Sequence, residues 1–428
     1  MLKIKNKSEL FSLFKITTIR NNIISLYILQ FSNYILPLIT IPYLVRILGP
    51  EKFGIVSFGQ SLMMYFVLVV NYGFNWSATR AIAMQRNNFY QINKIVSAVF
   101  CSKILLTLVS FIVLTLLIFL VPSFRKIYIL LYILFGIVVG HALFPQWLFQ
   151  GLERMEIITI INLTVRILIT LAIFVLIRTP NDYFIYAILI ALQWLGTGLF
   201  GFLWAILALK ISLFFPNFSF LKKVFKDGSV MFTTTVARSL VASGNPFLLG
   251  ILTNDYKIVG YYAPIEKLVR IAQGLGGPIS LAFFPYVSHK TSLSKSDGIM
   301  LSKKVLYIMM TIGIFISIIL FLGAKFIIGI VFGVKFLQSI KILKILAFVP
   351  LLALINNALG VQRMLPFKMD RYFLFSMITG AVVNIIFAII LVPIYKGIGM
   401  GLSVLIAEAA TMFCMIYFLY SKKLRYER

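Results

Sequence analysis

Runs of roughly twenty apolar residues, each closed by a short polar or basic stretch, recur along nearly the whole chain. Windows of about 19 residues predict about twelve membrane-spanning helices, near 22–45, 54–75, 95–121, 127–149, 155–178, 183–209, 228–251, 258–286, 304–333, 339–362, 372–395 and 397–420. The runs are continuous, whereas barrel strands alternate over about ten residues, so helices are expected and strands are not. The longest predicted loops, 76–94, 210–227 and 287–303, are too short to hold a soluble catalytic domain. Function is therefore expected among the helices. About twenty polar and basic residues precede the first run and no small-residue cleavage site follows it, so no cleavable signal peptide is expected.

Composition agrees with an all-α polytopic membrane protein. Of the 428 residues 61% are hydrophobic and only 12% charged, more apolar surface than a soluble domain of that size can hide. Cys101 and Cys414 both fall inside apolar runs, which leaves neither a disulfide framework nor a metal-ligand spacing. The formal charge of +28 could suggest nucleic acid, but the placement of the basic residues along the spans argues otherwise. An even number of spans puts both termini on one side. The loops on that side, with clusters such as Lys222, Lys223 and Lys226 or Lys303 and Lys304, hold more than twice the lysine and arginine of the opposite loops. That asymmetry predicts cytoplasmic termini and contact with anionic membrane lipids, and it removes the case for nucleic acid.

A weak repeat joins the halves. The stretch "ILGPEKFGIVSFGQSL" (47–62) is similar to "ILTNDYKIVGYYAPIEKL" (251–268), pairing Leu48 with Leu252, Glu51 with Asp255, Gly54 with Gly260 and Leu62 with Leu268. With six spans on either side, it predicts an N-terminal lobe (1–212, helices 1–6) and a C-terminal lobe (213–428, helices 7–12) related by a pseudo-twofold, with a site at the lobe interface.

The candidate chemistry is charge placed inside spans. On a wheel of about 100° per residue, Tyr262, Glu266, Lys267, Arg270 and Gln273 share one arc of span 8. Arg270 lies about 18 Å from the start of that span at helical rise, near the midplane. Arg238 in span 7 and Arg166 in span 5 are similarly deep, and Lys103 in span 3 is shallower. An ionised residue at mid-span opposes insertion by about 2.5–3.5 kcal/mol, so water or an anion must compensate. Guanidinium forks match phosphate oxygens. Arg238, Lys267, Arg270, Arg166 and Lys103 are thus candidate contacts for a phosphorylated ligand, and Glu266, Glu408 and His141 are candidates for ion coupling or charge pairing. Blander readings stay open beside these. Glu266 and Arg270 at i,i+4 can neutralise each other, Glu408 can pair with Arg238 or Arg166, Lys103 can snorkel, His141 can be a packed histidine, and Tyr262 and Trp147 can be interface aromatics. There is no phosphate-binding G-x-x-x-x-G-K-[ST] loop and no carboxylate pair on a long outer loop, so neither a cofactor nor an enzymatic activity is expected.

"LPLITIPYLVRILGPEKFGIVSFGQSL" (36–62) and "NYGFNWSATRAIA" (71–83) carry a family resemblance, through Arg46, Gly49, Gly54, Gly73 and Arg80. The chain resembles the O-antigen flippases, the polysaccharide-biosynthesis branch of the multidrug/oligosaccharidyl-lipid/polysaccharide exporter superfamily. The resemblance implies transport within lipopolysaccharide biosynthesis. An undecaprenyl-pyrophosphate-linked oligosaccharide would cross from the cytoplasmic to the periplasmic leaflet of a bacterial inner membrane, by alternating access through a cationic cavity. It also implies an O-antigen polymerase and a chain-length regulator as partners. Helix 1 departs from the pattern, offering Gln30, Asn33 and Tyr34 but no midplane cation. The alternatives are a drug/cation antiporter of the same superfamily, which would prefer an acidic cavity, a membrane polysaccharide polymerase or glycosyltransferase, which would carry a large catalytic loop, and a plain channel, which the lobe repeat does not suggest.

Overall fold

The computed structural model describes the backbone of residues 7–242 and 244–426, and side chains for residues 25, 27–229, 231–232 and 244–421. Helix makes up 89% of the chain and no strand occurs among the described residues. The protein is an all-α, multi-pass membrane protein. Among the described residues, nine helical stretches are long and apolar enough to span a bilayer. That number is compatible with the twelve spans expected, for two reasons. Spans 1 and 2 run together as Lys7–Asn71, broken at Gly49, whose φ of 71° and ψ of 174° leave the helical region and suit a residue without a Cβ. The helices Phe218–Ala242 and Tyr256–Gly274 (spans 7 and 8), whose sequences carry charged residues, are not among the nine.

Three predicted loops are largely helical. Phe74–Met84 and the start of Phe89–Leu120 fill most of 76–94, Phe218–Ala242 begins well before 228, and Gly277–Leu293 and Lys295–Leu322 nearly meet. A hydropathy window averages over both faces and so misses an amphipathic helix. In Phe74–Met84 the buried residues Phe74, Ala78 and Ile82 recur every four positions and join a core with Trp147, Leu148, Ile92 and Val96, while Trp76 and Met84 stay outside. Several long spans are also interrupted. Span 4 becomes Tyr128–Leu134, Gly136–Leu143 and Gln146–Gly151, with Pro145 ahead of the last piece, and span 8 breaks between Gly274 and Gly277. Such breaks are stable at membrane depth where neighbouring helices satisfy the freed backbone groups.

Two compact units are present. One gathers Met1–Thr40, Met63–Arg178 and Phe184–Thr235, the other Ile41–Leu62, Thr179–Tyr183 and Val236–Arg428. Within the second unit the two repeat segments cross at their glycines. A Cβ on Gly54 would overlap the Tyr256 carbonyl, and one on Gly260 would overlap the Pro50 carbonyl. Pro50 precedes Gly54 by the same step as Tyr256 precedes Gly260, so the contacts are reciprocal, as in a crossing of twofold-related elements. Arg46 donates to the Ile330 carbonyl nearby, and Phe58 stacks on Phe247 at 5.4 Å.

Candidate functional site

The helix Tyr256–Gly274 places Glu266 and Arg270 one turn apart. Arg270 Nη2 donates to Glu266 Oε1 at 2.8 Å, so the i,i+4 pairing is realised. Glu266 Oε1 also accepts from Asn245 Nδ2 at 2.7 Å, Asn245 Oδ1 from Asn384 Nδ2 at 2.9 Å, and Asn384 Oδ1 from Ser403 Oγ at 3.1 Å. From Glu266 to Ser403 this chain ties four helices together through groups that are almost wholly buried. A buried polar network is stable when its members are satisfied. Glu408 lies outside this hydrogen-bond chain and accepts from Asn356 Nδ2 at 2.7 Å.

These groups line a cavity of about 190 Å³ that includes Asn245, Glu266, Arg270, Gln273, Asn384 and Glu408. Of the Arg270 side-chain surface 38% is accessible, against 11% for Glu266, so the guanidinium is the part of the pair that faces open space. The cavity holds two carboxylates and one guanidinium. Sequence reasoning expected a cationic interior, but the charge facing this cavity is mixed, because Glu266 and Glu408 converge on Arg270.

Lys267 turns a different way. Its Nζ meets Gln60 Oε1 at 3.5 Å and lies 5.5 Å from the centre of the Phe53 ring. No carboxylate lies within ion-pair distance of it among the described residues. A long hydrogen bond and a ring face hold a lysine in place without neutralising it.

The other predicted cations are not gathered here. Arg166 donates to Asn33 Oδ1, a residue of helix 1, in the first unit. Lys103 belongs to a sealed nest in that unit. Only 1% exposed, its Nζ donates to Asn71 Oδ1 at 3.1 Å and to the His141 carbonyl at 3.0 Å. The snorkelling reading is corrected, since the ammonium does not reach an interface. Neither of the two cavities described is lined by Lys103. Asn71 closes Lys7–Asn71 and His141 is in the last turn of Gly136–Leu143, where carbonyls lack intrahelical partners and the helix dipole favours a cation. The His141 ring stacks on Trp194 at 4.0 Å, as a packed histidine would. Tyr262 and Trp147 are both 0% exposed and are core residues, not interface aromatics. The Arg238 side chain lies outside the described residues.

The family-motif positions fall on structural joints. Gly49 is the break in the first long helix, Gly54 the crossing point, and Gly73, at φ 74°, the residue capping Phe74–Met84. Arg80 lines a second cavity in the first unit. Sequence reasoning missed Asn356, Asn384 and Gln60 as site residues. Single amides in apolar spans are the signal that would have marked them.

A family model described as polysaccharide biosynthesis protein matches residues 19–290. Two curated relatives, each named "Putative O-antigen transporter", are 31% identical. One, from Escherichia coli (strain K12), aligns over 95% of this chain and 98% of its own, and the other, from Shigella dysenteriae, over 93% and 99%. A solved structure of the lipid II flippase MurJ superposes with a TM-score of 0.73 at 16% identity, covering 92% of this chain and 87% of that one. An inward-facing multidrug resistance MATE family transporter of the MOP superfamily gives 0.71 at 15% identity, covering 94% and 98%. At those identities the two structures establish a shared fold.

Proposed function

The chain belongs to the polysaccharide biosynthesis protein family, and from that premise we propose that it is a flippase for a lipid-linked oligosaccharide. The passenger is an O-antigen repeat unit on undecaprenyl pyrophosphate, moved from the cytoplasmic to the periplasmic leaflet of a bacterial inner membrane. The two lobes, 1–212 and 213–428, alternate in access, and both termini are cytoplasmic. No bond is made or broken. The barrier to be lowered is the transfer of sugar hydroxyls and phosphate charge through hydrocarbon. A polymerase and its chain-length regulator, acting downstream, would draw the flipped lipid away.

One observation carries the site. Lys267 and Arg270 stand one turn apart on one helix, the first with no carboxylate in ion-pair distance among the described residues and the second with over a third of its side chain accessible. Lys267 is the principal phosphate contact. Arg270 is the second, with Glu266 holding its guanidinium in place until the diphosphate competes for it. Arg166 and Arg238 are further contacts, and Glu408, beside Arg270, is the coupling group. Surface polysaccharide and inner-leaflet lipid-linked units, measured at equal protein level in cells carrying Lys267→Met or Arg270→Ala, test this reading. Inner-leaflet accumulation is expected, and normal surface polysaccharide in both variants would overturn the site.

The two carboxylates in the cavity favour a second reading, export of a cationic solute by a drug/cation antiporter. Under that reading, deleting the protein would sensitise cells to cationic dyes and leave surface polysaccharide intact.

A further inference from the structure

Away from the charged helix, the first unit contains a larger cavity of about 850 Å³. It lies between the amphipathic helix Phe74–Met84, the start of Phe89–Leu120 and the start of Phe218–Ala242. These are the end of span 2 and the starts of spans 3 and 7, so alternation of spans puts all of them at one face of the membrane, the face that also holds the termini. Arg80, Lys223 and Lys226 line the cavity against a single carboxylate, Asp227. Among the described residues no ion pair engages Arg80, Lys223 or Lys226. This contrasts with Arg86 nearby, which is fixed to Glu153 at 2.7 Å. Trp76, 64% exposed, stands in the lining.

The rim identifies the medium at the mouth. Phe89, Tyr90, Phe214, Phe215 and Phe218 around the starts of Phe89–Leu120 and Phe218–Ala242 are all exposed, Phe215 to 97%. Exposed aromatics in a band at span ends mark the headgroup layer of a bilayer. An occupant therefore arrives laterally as a headgroup, which disfavours a soluble acidic peptide. Free cations select phosphate, and the volume falls in the range of sites for organic molecules, larger than a bare phosphate requires. An indole with one open face is suited to the apolar face of a sugar ring.

We propose that this basic, tryptophan-lined cavity binds the phosphate-bearing headgroup of a membrane lipid, receiving it from the leaflet on the side of the termini. Two sources share that chemistry, a polyprenyl-diphosphate-linked sugar and an anionic phospholipid. The first rests on the flippase reading above and makes the cavity a docking station ahead of Lys267 and Arg270. The second does not depend on that reading.

The test uses the full chain in phosphatidylcholine nanodiscs and the fluorescence of Trp76, isolated by subtracting the signal of Trp76→Phe. One arm titrates farnesyl-diphosphate-linked N-acetylglucosamine, and the other replaces phosphatidylcholine stepwise by phosphatidylglycerol. With each surface cation contributing a several-fold gain, the combined Arg80→Gln, Lys223→Gln, Lys226→Gln variant is expected to bind on the order of 100-fold more weakly. Arg80→Lys, Lys223→Arg, Lys226→Arg should restore most of the binding. Loss confined to the first arm assigns the site to the diphosphate-linked sugar, and loss confined to the second assigns it to phospholipid. Should the triple variant fail to fold, Arg80→Gln alone should weaken binding about fivefold. A Trp76 signal unmoved by either lipid, or moved equally in the wild type and the glutamine variants, overturns the proposal. Normal surface polysaccharide in cells lacking the protein would remove the flippase reading and leave the phospholipid arm standing.

Discussion

Lys103 and Arg270 each carry a positive charge inside a membrane helix, in surroundings of opposite design. Lys103 is shut away, 1% exposed, with neutral acceptors at two helix ends. Arg270 meets a carboxylate at 2.8 Å, has a second in the same cavity, and keeps 38% of its side chain accessible. A cation among neutral dipoles has nothing to exchange, and its effect is to join helices. A cation among carboxylates in an open cavity can trade one anionic partner for another as a ligand arrives. The difference separates a charge that builds the fold from one that can work on a passenger, a distinction that depth in the span does not reveal.

The strongest challenge to this contrast comes from Arg270→Ala. It leaves Glu266 and Glu408 in one cavity without its guanidinium, and removing one partner of a buried pair costs about 3–5 kcal/mol, less here because the arginine is partly exposed. Transport should fall by at least 100-fold, and Glu266→Gln in the same chain should recover stability without recovering transport. A flipping assay paired with thermal denaturation reads both. Recovery of transport by the double variant would place Arg270 with Lys103 as a structural charge.

Glu408→Gln is expected to be milder. The amide still fits beside Asn356 Nδ2, so folding should change by under about 1 kcal/mol, while the transport rate drops roughly tenfold and no longer responds to an imposed ion gradient. A rate that keeps its gradient dependence in reconstituted vesicles would show that Glu408 is there only for Asn356.

Lys103→Met should give the reverse pattern. Two charge-assisted hydrogen bonds are lost and the His141 carbonyl is orphaned, partly offset by relief of a buried ammonium, for a net destabilisation of about 2 kcal/mol. The melting temperature should fall by a few degrees, with transport per folded molecule within about twofold of wild type. A large transport defect at unchanged stability would erase the contrast.

The smallest effect is expected for Arg166→Gln. The amide can still bond Asn33, so transport should weaken about threefold by loss of one distal phosphate contact, measured as the lipid concentration needed for half-maximal flipping.

The membrane spans were legible because twenty apolar residues in a row have few physical outcomes. So was the Glu266–Arg270 pair, since residues four apart on a helix must meet. The amphipathic helix Phe74–Met84 was hidden by averaging across its faces, and the start of Phe218–Ala242 in the same way. The partners of Lys103 were hidden for a different reason. One acceptor is a backbone carbonyl, which every residue possesses, and its position depends on how three distant segments pack. Glu408 with Asn356 is likewise a tertiary fact. Charge type and depth could be read along the chain, but whether a charge was already spent could not.

The crossing of Gly54 and Gly260 has a mechanical consequence. Backbone rests directly on backbone there, with no compressible side chains between, so the two rods can roll about the point but cannot slide through it. A roll of about 10° would carry the far end of a 30 Å helix through roughly 5 Å, the width of a strand of chain. A methyl group on either glycine would act as a doorstop, fixing the angle at one end of the swing.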